Sequence, residues 1–210
     1  MEKEVIDGIK KFLKKYNLPE MRKKYTFQAP KKREQMYKLF KGSIGKKKLE
    51  ELLRWAFYND RRFLGMFLKN LKKNNEADVK KKTKEALDLA LSGRKGNIAK
   101  SIQTLTKIKG IGGVSASKIL MFARPDKFGM LDQFNGKAIH KLKVKGKAYF
   151  KKADPNKLTP KQYSEEFEKY THVIREMCSL LNKARKCYKQ GRKWKPADID
   201  MALFRIGRGH

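Results

Sequence analysis

Three glycines fall within four residues, Gly110, Gly112 and Gly113, between two runs whose apolar residues recur at helical spacing. Upstream, Ile98, Ile102, Leu105 and Ile108 share one face of a helix for which Asn97 is the expected N-cap. Downstream, a second helix is expected from about Val114 to Phe122. Glycine takes positive φ without steric penalty and lets a second backbone come close. The stretch between the runs therefore reads as a tight hairpin. Ser115, Ala116 and Ser117 open the second helix with small side chains, which lets the two helices pack closely. The pattern commits this part of the chain to a helix-hairpin-helix.

The rest of the chain follows the same period. Val5, Ile6, Ile9, Phe12, Leu13 and Tyr16 mark a helix stopped by Pro19. Met36, Leu39 and Phe40 mark a short one ended by Gly42. Apolar stripes follow at Leu49–Phe57, at Phe63, Leu64, Phe67, Leu68 and Leu71, and at Val79–Leu91. Tyr25–Pro30 reads as extended or loop. A helix resumes near Asp132, and Val144, Ala148 and Phe150 suggest a short β-hairpin. Thr159-Pro160 opens the clearest helix, with threonine as cap and proline at the first helical position. Its core face is Tyr163, Phe167, Tyr170, Val173, Ile174, Met177 and Leu181. An amphipathic helix closes the chain from Ala197. The class is all-α, divided as an N-terminal helical region (1–92), the helix-hairpin-helix with the segment around Asp132 (93–145), and a C-terminal helical region that packs with the N-terminal part (146–210).

Fifty-four Lys and Arg face 21 Asp and Glu, a net charge of +33. A field of that sign favours a polyanion, and nucleic acid is the commonest one. The hairpin fits such a partner. Its amides point outward beside a helix N-terminus, a geometry suited to phosphate oxygens, and Lys107 and Lys109 add counter-charge. No apolar run is long enough for a transmembrane helix, and the first 16 residues lack the apolar core of a signal peptide. An intracellular protein is expected. Cys178 and Cys187 match no zinc or iron–sulfur spacing, and on one helix they sit more than roughly ten ångströms apart, too far for a disulfide. His140, His172 and His210 do not cluster, so no metal site is expected.

The segment "GMLDQFNGKAI" after the hairpin brings in a resemblance. Here the chain is similar to the helix-hairpin-helix DNA glycosylase superfamily, which includes endonuclease III and the mismatch adenine glycosylase. In that family the hairpin is followed by a loop and an apolar-Asp motif whose aspartate is the catalytic carboxylate. From Val114 to Asp132 is 132 − 114 = 18 residues, the family's usual spacing. The resemblance implies two helical lobes with a cleft lined by the hairpin and Asp132. It carries over Asp132 as the catalytic position and Gly110, Gly112 and Gly113 as contacts to backbone phosphate, with Ser115 beside them. The bare residue reading of Asp132, a helix N-cap, stands beside this one and is compatible with it.

The chain also departs from the family. Bifunctional members carry a Schiff-base lysine two residues after the hairpin's second glycine, and that position here is Val114. The resemblance therefore implies a monofunctional enzyme. Lys118 is expected to be a core-edge lysine that snorkels to solvent, with a displaced nucleophile as the alternative. Two cysteines cannot build the four-cysteine cluster of endonuclease III, and Lys109 replaces the usual hairpin proline. No cofactor is implied beyond room for a monovalent cation at the hairpin. "LEELLRWAFYNDRRFLGMFLKN" looks closer to a branch of the superfamily that lacks the cluster. Further nucleic-acid contacts are expected at Arg61-Arg62, Arg94-Lys95, Arg192 and Lys193, and Trp194 either stacks on a base or plugs the core. The expected activity is cleavage of the N-glycosidic bond of a damaged or mismatched base in duplex DNA, by a monomer. The alternative is a non-enzymatic binder of DNA or RNA, including a ribosome-associated one.

Overall fold

The computed structural model describes residues 2–25, 31–186 and 192–209. Most of Tyr25–Pro30, together with Cys187 and His210, lies outside them. The described residues form an all-α protein. In chain order the elements are α1 (Lys3–Lys15), α2 (Leu18–Lys23), α3 (Arg33–Leu39), α4 (Lys46–Ala56), α5 (Arg61–Lys72), α6 (Glu76–Leu91), α7 (Asn97–Thr106), α8 (Gly113–Ala123), α9 (Gln133–Ile139), β1 (Lys143–Val144), β2 (Lys147–Ala148), α10 (Pro160–Lys183) and α11 (Pro196–Gly207). Internal contacts separate the chain into two units. One comprises Met1–Thr26, Pro125–Leu158 and Glu166–His210, the other Phe27–Arg124 and Thr159–Glu165.

The unit that carries the hairpin is built from α3 to α8 and the start of α10. Leu49, Leu52, Leu53, Leu71, Ile102, Leu105, Ile119 and Leu120 are its buried stripes. Phe122 is fully buried, and the rings of Tyr37, Phe40 and Trp55 pack on it, Trp55 edge-on at 4.9 Å. α7 starts differently from expectation. Its N-cap is Gly96, at φ +82°, and Asn97 is already helical. The Asn97 side chain instead donates through Nδ2 to Ser92 Oγ at 2.8 Å, within the turn that enters the helix. α5 also departs. Of its expected core stripe only Leu71 is buried, and Phe63 stands in solvent.

In the other unit, α11 is not amphipathic. Every residue from Pro196 to Phe204 is buried, including Asp198 and Asp200. Both carboxylates are satisfied there. Asp200 accepts from the Met130 amide, the Asn135 side chain and Tyr170 Oη. Asp198 accepts from the Lys195 amide and lies 3.4 Å from Arg22 Nε. A buried carboxylate is tolerated when it is paired and hydrogen-bonded. The short β-hairpin forms as expected, with Lys143 opposite Ala148 across a two-residue turn at Lys145 and Gly146, both at positive φ. α10, whose first residues belong to the hairpin's unit, has its expected cap. Thr159 Oγ1 accepts from the Gln162 amide while the Gln162 side chain accepts from the Thr159 amide. Its seven predicted core residues are all buried.

Candidate nucleic-acid interface

The hairpin is a tight turn with its apolar residues inward and its lysines outward. The Ile111 amide donates to the Ile108 carbonyl at 3.0 Å, closing the turn around Gly110 at φ +91°. Ile108 and Ile111 are buried, and Lys107 and Lys109 are exposed. A Cβ at Gly110 would lie 2.6 Å from the Phe67 carbonyl and 2.9 Å from the Leu71 amide, so the turn presses directly on the backbone of α5. Asn74, just beyond α5, fastens the turn from the same side. Its Oδ1 accepts from the Lys109 amide and its Nδ2 donates to the Lys109 carbonyl, each at 2.9 Å. Sequence reading missed Asn74; nothing local marks it, because its partner is the hairpin's backbone.

Gly112 has no heavy atom within 4 Å of where a Cβ would stand, and it is exposed. It is the N-cap of α8 and supplies no side-chain cap. The amides of Gly112, Gly113, Val114 and Ser115 find no acceptor among the described residues. Four donors at a helix N-terminus, just after two exposed lysines, form a ready anion site. Ser115 contributes only its amide, since its side chain is buried. Gly113 is needed for packing. A Cβ there would meet the Tyr163 ring at 2.6 Å, and Tyr163 Oη donates to Ser117 Oγ at 3.0 Å.

Lys118 does not snorkel. It is 8% exposed, with Nζ 5.9 Å from the ring centroids of both Trp55 and Phe57. Aromatic faces attract a cation at this range and so favour keeping the ammonium inside.

Asp132 lies in the other unit, half-buried, as the N-cap of α9. Its Oδ1 accepts from the Phe134 and Asn135 amides, both at 3.0 Å, and its carbonyl accepts from the Gly136 amide at 2.7 Å. Oδ2 makes no hydrogen bond among the described residues. The carboxylate is thus held by one oxygen and open at the other.

Arg192 and Lys193 are exposed, and Arg192 lies 3.6 Å from Asp198. Trp194 is 3% exposed; its indole N–H donates to the Lys186 carbonyl and its backbone amide to Asn182 Oδ1. Of the two roles open to it from sequence, the ring takes the core one. Burial pushes the Cys178 thiol pKa well up, with nearby Asp198 adding to the effect. Among the described residues no group of three or more His, Cys, Asp or Glu is placed to hold a metal ion, and no helix is long and apolar enough to cross a membrane. Two open depressions of about 550 and 620 Å³ flank α6; Lys81, Lys84 and Asp88 line both. Comparison with protein-family models, curated proteins and solved structures finds no match for this chain.

Proposed function

We propose that this protein binds duplex DNA through backbone contacts made by residues 107–115, and that it is a monofunctional DNA glycosylase of the helix-hairpin-helix kind with Asp132 as its carboxylate. The observation that carries the binding half is the set of four unsatisfied amides at the start of α8, preceded by exposed Lys107 and Lys109. A phosphate oxygen accepts what the protein leaves unpaired, and the contact is independent of base sequence.

The carboxylate supports the chemical half. Cleavage of an N-glycosidic bond develops positive charge on the sugar. Asp132 Oδ1 is pinned by two amides, which fixes the group, while Oδ2 can face that charge or orient an attacking water. Val114 has no amine to trap the sugar covalently, so the product is an intact strand with an abasic site, and strand cleavage then requires alkali.

The test is a panel of duplex oligonucleotides, each with one damaged or mismatched base, treated or not with alkali after incubation. Breaks that need alkali are expected on one class of lesion. Asp132→Asn keeps an N-cap acceptor and so keeps the fold, and it should lower the rate by about a hundredfold or more. Salt-sensitive binding by both proteins with no breaks on any duplex identifies the non-enzymatic binder instead. Breaks without alkali contradict the monofunctional assignment and turn attention to Lys118.

A further inference from the structure

α5 carries apolar side chains into solvent. Phe63 is 41% exposed and Met66 47%. Phe63 is also the end of a stack. Its ring lies on Phe67, with centroids 6.3 Å apart and planes inclined by 24°. Phe67 in turn packs on Phe57 at 4.8 Å and 31°. Three rings form a column, and its outer member is exposed.

The helix that carries the column lies against the hairpin turn. Gly110 touches the Phe67 carbonyl, and Asn74 ties the end of α5 to Lys109. Phe63 precedes Phe67 by one helical turn, about 5 Å. A DNA strand advances about 3.4 Å per nucleotide, so a strand seated on the hairpin has its next one or two nucleotides within reach of Phe63. The surrounding charge is of one sign. Arg61, Arg62, Lys69 and Lys72 lie on the same helix, and the Arg62 guanidinium sits 5.4 Å from the Phe63 centroid. The acidic residue at the helix start, Asp60, is committed as the N-cap and accepts from the Phe63 amide at 3.2 Å.

We propose that Phe63 is a base-stacking residue. An unpaired base on the strand held by the hairpin continues the column Phe57–Phe67–Phe63, and Arg62 lies against that base or its phosphate. This rests on the DNA-binding reading above and adds the part of the nucleic acid that the hairpin cannot see. An apolar face with a positive rim is complementary to a ligand that has both a π-face and a negative backbone, as an unstacked nucleotide has.

Two duplexes of one sequence test it, one fully paired and one with a single bulged nucleotide. The wild type should bind the bulged duplex more tightly, and Phe63→Ala should lose roughly five- to hundredfold on it, the range measured for stacking of one base. The same variant should bind the paired duplex within about twofold of wild type. Phe63→Trp should keep the preference, and unchanged melting of both variants confirms the fold. Equal losses on both duplexes, or no preference in the wild type, overturn the stacking role while leaving hairpin binding in place. Hairpin binding is read separately, from weaker binding of the paired duplex by Gly112→Ala. No binding of either duplex removes both readings. Attachment to phosphatidylserine vesicles, or self-association, that is lost in Phe63→Ala without any base preference assigns the face to lipid or protein and overturns the proposal.

Discussion

Gly110 and Gly112 are two residues apart and are glycine for different reasons. Gly110 combines positive φ with α5 backbone 2.6 Å from where a Cβ would stand. Gly112 has ordinary φ and open space. Gly110→Ala should therefore cost at least about 2 kcal/mol, a fall of roughly 4–8 °C in Tm for a chain of this size. Gly112→Ala should cost less than about 1 kcal/mol, yet it puts a methyl group among the unsatisfied amides and should weaken DNA binding about tenfold, the scale of one lost charge-assisted contact. Thermal melts and a binding titration on the two variants check this. A Gly110→Ala protein as stable as wild type would show that α5 does not press on the turn. The sequence displays the three glycines as equals. What distinguishes them comes from distant parts of the chain, Phe67 and Leu71 against Gly110 and Tyr163 against Gly113, and no local pattern carries that. Asp132 is the opposite case. An aspartate ahead of a helical run states its capping role locally, and the structure shows that role.

At the level of elements, periodicity marked the helices, but it could not say how many faces of each are covered. α5 has a full apolar stripe and buries little of it, whereas α11 has two aspartates and buries nearly everything. Burial depends on which neighbour arrives, and in α11 the aspartates are admitted because Met130, Asn135, Tyr170, Lys195 and Arg22 supply their partners. Helix ends show the same dependence. α4 is N-capped by Gly45, which has no side chain to cap it, and Glu76 at the start of α6 supplies the acceptor, its Oε2 accepting from the Lys46 amide at 3.0 Å. A Cβ on Gly45 would collide with that carboxylate. The Lys46 amide, more than any other cause, holds the Glu76 pKa below its usual 4.5; partial burial opposes this, and Lys80 assists. A carboxyl whose pKa is lowered on folding stabilises the protein fully above its unfolded value and loses that contribution as pH falls through the folded value. Glu76→Gln should thus be less stable than wild type at neutral pH, by roughly 0.5 kcal/mol for so exposed a group. The gap should close as pH drops below 4.5. Denaturant melts of both proteins across that range check the sign; a gap that widens in acid contradicts the capping role.

For the whole molecule, charge is the dominant fact. With 54 cationic and 21 anionic side chains, one-to-one pairing leaves 54 − 21 = 33 cations without an acidic partner. Several carboxylates are further committed to caps, as Asp60, Asp132 and Glu76 are. Such a chain repels itself, and salt relieves the repulsion. Raising salt should therefore raise Tm. On a DNA complex the same salt acts with the opposite sign, because binding gains from counterions released at each neutralised phosphate. The two responses separate a functional charge from a merely abundant one. If Lys107 and Lys109 each neutralise a phosphate, the double variant Lys107→Ala/Lys109→Ala should flatten the slope of log affinity against log salt by about 1.8, two contacts at 0.9 each. Removing two exposed lysines elsewhere, such as Lys14 and Lys15 at the end of α1, should leave that slope unchanged and move Tm by a similar small amount. A slope equally sensitive to both pairs would mean that the charge binds DNA as a diffuse field with no special place for the hairpin.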